Sequence, residues 1–382
     1  MYIQFADLVT IVIMVQLLAF MAYLFTTKRG KKQSQILLGV FMLAQFLGLL
    51  DLALLGSFVD FSVQYPVLHT LLFPFTFIWG PAIFLYVLSI TDTSYIIRFK
   101  SAWHATPGVL VFWILILSGI EKGEVTGFDL QSMAGFTSMQ GYHIVLFVRH
   151  VQILIYILLS LRMLKKYHTQ IRNQFSSLSK VHLQWLQYLL LGYCVVWIFD
   201  LSALVLNIIF EYQYPILYSI DITCFLIFFN LLFFNTMHHP EVILQDMSKQ
   251  KYYRSILKDE QIVEYRKRLD SLFELQKPYL EPDLTLQDLA KQINISPRYL
   301  SQVINVSFQQ SFYDLINRYR IQAFQDRIVE VVSKEKTILE LMYDVGFNTK
   351  SSFNNVFKKQ THLTPSQFIK QYQISQHNRP HP

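Results

Sequence analysis

The segment ISPRYLSQVIN, residues 295–305, carries side chains suited to reading a polar surface rather than to breaking a bond. Arg298, Ser301, Gln302 and Asn305 recur at i, i+3, i+4 and i+7, so they share one face of a helix. Arginine can take guanine through two parallel hydrogen bonds, asparagine and glutamine can take adenine, and serine serves a base or a phosphate. A second set, Lys350, Ser351, Asn354, Asn355 and Lys358, follows in TKSSFNNVFKKQ. A third set stands in different surroundings: Asp51, His69, Arg149, His150, Asp200 and Asp221 interrupt long apolar runs. Charges there are costly and usually face a bundle interior or a wet cavity, so these six form either a candidate ligand pocket or interhelical ion pairs, such as Arg149 with Asp200, that only hold the bundle together.

The first two sets need helices to aim them. In TLQDLAKQINISPRYLSQVIN, Leu289, Ala290 and Ile293 give an apolar face to a first helix, and Ala290 is small enough for a second helix to cross closely. Asn294 falls at the turn, where a residue tolerating positive φ is required. Ser296 and Pro297 suit the N-cap and first turn of the next helix, with Leu300, Val303 and Ile304 facing inward. The same grammar recurs in TILELMYDVGFNTKSSFNNVFKKQ, with a turn at Gly346, an N-cap expected at Asn348, and Phe353, Val356 and Phe357 inward. Between the copies, residues 312–332 read as one helix about 30 Å long, close to the roughly 34 Å between successive major-groove faces of B-DNA. Residues 284–373 hold 11 Lys plus Arg against 7 Asp plus Glu, a balance that favours phosphate. Promoter DNA is the expected partner.

The third set belongs to another kind of protein chemistry. The chain has 382 residues, 53% hydrophobic and only 15% charged, against roughly 25% charged in an ordinary soluble domain. That average conceals a break near His238: 13 Lys plus Arg and 10 Asp plus Glu precede Asn235, and 20 and 16 follow from there on. Crossing about 30 Å of hydrocarbon takes about 20 mainly apolar residues. Seven such runs occur, at 7–26, 36–55, 67–91, 103–120, 144–164, 183–210 and 214–234. Pro74, Gly80 and Pro81 can kink the third.

Loop charges give these runs a direction. Lys28, Arg29, Lys31, Lys32, Arg98, Lys100, Lys165, Lys166, Arg172 and Lys180 all fall in one set of alternate loops, and Lys122 alone falls in the other. Positive residues are retained on the cytoplasmic side, which puts the N-terminus outside, the C-terminal part in the cytoplasm, and the six polar residues in the outer halves of their spans. The lipid bilayer is thus a second expected partner, and an unidentified signal ligand entering from outside a third. The start, MYIQFAD, lacks a basic stretch before its apolar run and is expected to be retained. Cys194 and Cys224 sit in apolar runs and imply no disulfide framework; neither a metal nor a cofactor is expected.

Between the two halves, residues 247–278 are polar with a helical pattern. Ile262, Leu269 and Gln276 recur every seven residues, as do Tyr265, Leu272 and Tyr279. This short seam suits either packing on the following domain or a homodimer contact through the stalk.

Two helix-turn-helix units joined by a helix and ending in DVGFNTKSSFNNVFKKQTHLTPSQF resemble the DNA-binding domain of the AraC/XylS transcription regulators over about 90 residues. The resemblance places the recognition helices near Pro297 and Thr349 and matches Arg320 and Ala323 to the linker-helix Arg and Ala. The sequence departs from the pattern at Met342, where a small Ala is usual, and at His362, where Gly commonly precedes the TP. The apolar half, with WGPAIFLY and HHPEV, is similar to the seven-span part of membrane-bound bacterial regulators of this type, which implies a bacterial cytoplasmic membrane.

The expected fold class is all-α, a seven-helix transmembrane bundle (1–237), a helical stalk (238–283), a double helix-turn-helix domain (284–373) and a polar tail (374–382). The expected function is a membrane-bound, sequence-specific regulator of transcription. Two alternatives differ in class: a receptor or transporter whose helix-turn-helix is a protein adaptor, and an intramembrane aspartyl protease using Asp200 and Asp221. Asp221 sits in YSIDIT without the GxGD of such proteases, and no HExxH or GxSxG occurs, so no catalytic residues are expected.

Overall fold

The computed structural model describes residues 5–27, 31–56, 67–92, 95–121, 139–178, 183–210, 215–238 and 257–377. These are helical almost throughout, with one isolated antiparallel bridge between Phe175 and Thr285. The chain divides into two compact units, one made of Met1–Lys165 with Leu183–Lys249, the other of Lys166–His182 with Gln250–Pro382.

The first unit holds α1 (Phe5–Thr26), α2 (Lys32–Gly56), α3 (Val67–Leu72), α4 (Trp79–Thr91), α5 (Thr106–Glu121), most of α6 (Met139–Arg172), α7 (Gln184–Phe210) and α8 (Pro215–His238). Seven stretches of the described residues are long and apolar enough to cross a membrane, and they coincide with the seven runs of the sequence. The faces of α1 show what this composition achieves. Val9, Ile13, Leu17, Phe20 and Leu24 are buried at helical spacing, yet the opposite face carries exposed Leu8, Val12, Val15 and Leu18. A water-facing helix would be polar there; a helix apolar all round suits hydrocarbon. Inside, Phe20 meets Phe233 edge-on at 4.9 Å and Phe41 meets Tyr193 at 5.8 Å.

The third stretch is interrupted as its prolines suggest. A 3-10 segment, Phe73–Ile78, with Pro74 in its first turn, separates α3 from α4. Pro81 lies in the first turn of α4, where its missing N–H costs no helical bond. Gly80 allows close packing: a Cβ there would lie 3.0 Å from the Tyr156 ring and 3.3 Å from the Ile153 backbone on α6. The fifth stretch differs from expectation at its end, because α6 continues past residue 164 to Arg172. Tyr167 and Ile171 are fully buried, which gives this polar extension an inward face.

The second unit contains α9 (Asp259–Leu275), α10 (Leu286–Gln292), α11 (Pro297–Phe308), α12 (Phe312–Asp326), α13 (Ile328–Val332), α14 (Ile338–Asp344), α15 (Lys350–Thr361) and α16 (Pro365–His377). Two apolar cores share α12. Leu315 and Ile316 belong to the first core with Leu269, Leu272, Phe273, Leu289, Leu300 and Ile304. Ile321 and Phe324 belong to the second with Leu341, Met342, Phe347, Phe353 and Phe357. The seam of the stalk is therefore used within the chain: Ile262, Leu269, Leu272 and Tyr279 are all buried.

The single helix expected over 312–332 is two helices. Its first part ends at Arg327, whose φ of −100° and ψ of 10° leave the helical region and whose N–H is shared by the carbonyls of Ala323 and Gln325. The Arg327 guanidinium ties Glu330 to Asp344, and the bend turns Ile328 inward. A helix of 15 residues is only about 22 Å long at about 1.5 Å per residue, so linker length alone does not match the groove spacing.

Candidate nucleic-acid interface

Both helix pairs are built the same way, and their residues correspond at a constant offset. Thr285 and Thr337 each cap the first helix by accepting from the N–H three residues on, at Asp288 and Glu340. Leu289 and Ala290 are buried in one, Leu341 and Met342 in the other. At the turns Asn294 has φ +56° and Gly346 φ +93°. Ile295 N–H then reaches back to Ala290 O at 3.0 Å, and Phe347 N–H to Met342 O at 3.1 Å, closing the helix end in Schellman fashion. Met342 replaces a small residue without loss of burial, because its flexible thioether fills the second core.

One residue is then inserted in the second copy. Ser296 caps α11 by accepting from Tyr299 N–H, whereas α15 is capped by Thr349, which accepts from Ser352 N–H. The N-cap is thus not Asn348. Both residues are capable caps, but the Asn348 amide donates instead to Asp283 Oδ1 at 2.7 Å and Ser177 Oγ at 3.2 Å. From the cap onward the helices match again, Leu300 with Phe353, Val303 with Val356, and Ile304 with Phe357, all buried. Both end in left-handed residues, Gln309 at φ +52° and His362 at φ +61°, so His362 makes the turn that a glycine was expected to make.

On the outer faces Asn305, Lys350, Ser351, Asn355 and Lys358 are exposed, and Arg298, Ser301, Gln302 and Asn354 are half-buried. Arg298 pairs by position with Ser351, Ser301 with Asn354, Gln302 with Asn355 and Asn305 with Lys358. Gln302 has a structural partner as well, since its Oε1 accepts from Leu257 N–H at 3.4 Å. Beside it Val303 packs with Leu257 and Ile262, so the stalk braces the flank of α11.

Arg320 joins the two copies. It is 1% exposed, and its Nε donates to Tyr279 O at 2.7 Å while Nη2 donates to Glu281 O at 2.6 Å. Burial pushes its guanidinium down to about 10, which leaves it cationic at neutral pH. Nη1 and Nη2 also donate to Asn317 Oδ1 and Pro282 O, and both reach Ser176, a residue the sequence did not single out. Nothing in QFSSLS marks such a role, since the partners lie more than a hundred residues apart in the chain.

In the first unit, the six polar residues fall into one pair, a group of three and Asp221. Asp51 accepts from or donates to His69 Nδ1 at 2.8 Å. Arg149 Nη2 donates to Asp200 Oδ2 at 3.1 Å, with His150 Nε2 3.8 Å from the same oxygen. The Arg149 guanidinium also lies over the Trp79 ring at 5.3 Å. Asp221 shares no hydrogen bond with Asp200, and its Oδ1 has no partner among the described residues. Asp200 is thus committed to a cation rather than to a second carboxyl.

The arrangement in the second unit defines a double helix-turn-helix domain. It is of the AraC type: a family model described as a helix-turn-helix domain matches residues 289–371. Among curated proteins the chain is 30% identical over 86 residues to an HTH-type transcriptional regulator in the cgkA 5′ region of Pseudoalteromonas carrageenovora, covering 22% of this chain and 49% of that protein. It is 24% identical over 104 residues to the regulatory protein SoxS of Escherichia coli (strain K12), covering 27% of this chain and 94% of SoxS. An HTH-type transcriptional regulator of Staphylococcus aureus (strain COL) is 28% identical over 90 residues, 24% of this chain and 12% of that protein. The chain thus spans about half the length of the first of these relatives. No solved structure matches the chain.

Proposed function

We propose that this chain is a membrane-bound regulator of transcription: α11 and α15 read promoter DNA from the cytoplasm, and the apolar bundle holds the domain at the membrane and biases it in response to a signal. The observation that carries the reading is the pair of capped helices, one on each side of α12, presenting Arg298, Asn305, Lys350, Asn355 and Lys358 outward within an AraC-type domain. Loop charges support an outside N-terminus. One span suffices as a tether, so seven favour a bundle with states that a ligand or the bilayer can bias. Arg149, His150, Asp200 and Asp221, with Asp51 and His69, are the groups through which a polar ligand from outside would act. Pairing of two chains along α9 would use its outer face, where Val263 and Leu275 are exposed.

The test is retention of sheared genomic DNA by the purified full chain in detergent, sequenced after washing. Enrichment of discrete fragments supports the reading; recovery no better than that of unselected DNA overturns it. A periplasm-active reporter fused within residues 122–138 should be active and one at Ser248 inactive, and the reverse pattern would remove the DNA from reach.

A further inference from the structure

The stretch between the fifth and sixth apolar runs looks like an ordinary loop, yet it is built into the double helix-turn-helix unit. Ser176 N–H donates to Leu284 O at 3.2 Å and Leu286 N–H donates to Gln174 O at 2.9 Å, a short antiparallel pairing around Phe175 and Thr285. Ser176 is 1% exposed. Its carbonyl accepts from Arg320 Nη1 at 3.3 Å and Asn317 Nδ2 at 3.2 Å, while its hydroxyl donates to Leu284 O at 2.6 Å and accepts from Arg320 Nη2 at 3.2 Å. One residue on, Ser177 Oγ accepts from Asn348 in the second motif. At the end of α6 the Arg172 guanidinium donates to both oxygens of Asp314, at 2.7 and 2.8 Å, and lies 5.4 Å from the Tyr313 ring centre. Lys359, just past the outward face of α15, reaches the same carboxylate at 3.4 Å.

These contacts have a pattern. Leu284 and Thr285 begin the first motif, Asn348 precedes the cap of the second, and Asp314, Asn317 and Arg320 lie on α12 between them. The surface crossed by this strap is therefore the seam that sets how the two recognition helices stand to each other. A buried arginine with an unfilled donor is expensive, so the strap completes the seam rather than decorating it. In the chain, the strap is continuous with α6, which carries Arg149 and His150, and leads into α7, which carries Asp200.

We propose that residues 172–177 are an integral part of the DNA-reading unit and the contact through which the bundle sets the spacing of its two recognition helices. The occupant of the Arg320 seam is this chain's own inter-span segment. The proposal rests on the DNA-binding reading for its output, and its docking can be tested without DNA.

Phe175 and Thr285 form a non-hydrogen-bonded antiparallel pair, whose Cα atoms stand about 4.5 Å apart, within disulfide range. Full chain in native membranes, with Cys194 and Cys224 replaced by alanine, should form a 175–285 disulfide under mild oxidation in the Phe175→Cys, Thr285→Cys variant and none in either single variant. Absence of that bond in a chain inserted at normal abundance overturns the docking. For the output, full chain carrying Arg172→Glu or Arg172→Lys is used to select from random-sequence DNA. Arg172→Glu should keep the bases preferred in each half of the site, broaden the separation between halves, and lower retention about threefold or more; Arg172→Lys should stay near the parent. A merely stabilising strap would lower retention with the separation unchanged, and that result overturns the proposal. If the parent chain selects no DNA while the disulfide forms, the DNA reading fails and the docking stands.

Discussion

In the first motif the recognition helix α11 is held from two sides, by its own core through Leu300 and Ile304 and by Leu257 and Ile262 through Val303. In the second, Phe353, Val356 and Phe357 of α15 all turn into a single core, closed by Phe368 of α16. One backbone plan thus supports a braced reader and a simply packed one. The polar faces differ in the same sense. The first offers Arg298, Gln302 and Asn305, types that discriminate bases, whereas the second offers Lys350 and Lys358 at its two ends, types that find phosphate. If both helices meet DNA, this difference favours base selection chiefly by the first motif and a larger share of backbone anchoring by the second.

The largest expected effect tests what the motifs share. Arg320→Ala removes the guanidinium donors that reach the carbonyls of Tyr279, Glu281 and Ser176 across the seam and should cost about 3 kcal/mol or more. Hydrogen exchange should then speed up in α11 and α15 together. Acceleration in only one of them would show that the cores are independent and the seam unimportant.

Next comes the pair of turn residues, which should respond with opposite signs. Gly346→Ala places a Cβ at φ +93° and 2.6 Å from Leu280 O, a strain of about 1–3 kcal/mol at the turn of the second motif. Asn294→Gly at φ +56° relieves the left-handed cost in the first and should change its stability by less than about 1 kcal/mol. Thermal melting of the two full-length variants decides; equal losses would contradict the shared turn geometry.

Readout should separate the motifs at about 1–3 kcal/mol per contact. Arg298→Ala or Asn305→Ala should relax preference at single base positions. Lys358→Ala should weaken all sequences alike and reduce the slope of affinity on salt by about one ion. Should Asn354→Ala and Asn355→Ala alter base preference as strongly as Asn305→Ala, the assignment of selection to the first motif is wrong.

The smallest effect is acid sensitivity at Asp314. Burial raises its carboxyl, but the Ser311 hydrogen bond and the Arg172 and Lys359 charges outweigh that and hold it below its usual value. A carboxyl depressed in the folded state contributes stability that is complete above its unfolded value, near 4, and is lost as pH falls through the folded value. Melting temperature should therefore fall below about pH 4 less steeply in Asp314→Asn than in the parent. Identical acid limbs would show that the carboxyl makes no net contribution there.

Much of this was legible because local chemistry decides it. Seven apolar runs, the positive φ at Asn294, the Ser296 cap and the inward Leu300, Val303 and Ile304 all follow from neighbours within a few residues. The misses have a common cause in contacts distant along the chain. Thr349 takes the cap because Asp283 and Ser177 hold Asn348. The expected linker bends because Arg327 is bound to Asp344. Gln302 shares its face with the stalk because Leu257 packs there. Ser176 is the extreme case: a small polar loop residue whose importance exists only in the folded seam.

The central claim is that the intact chain, in its membrane, occupies specific DNA. Genome-wide cross-linking of the full-length chain in growing cells, beside an equally abundant Arg298→Ala, Asn305→Ala chain, tests it most directly. The account predicts discrete occupied sites for the parent, each with two blocks of preferred sequence, and loss of the block read by α11 in the variant. Occupancy indistinguishable between the two chains, or no discrete sites for either, would contradict it.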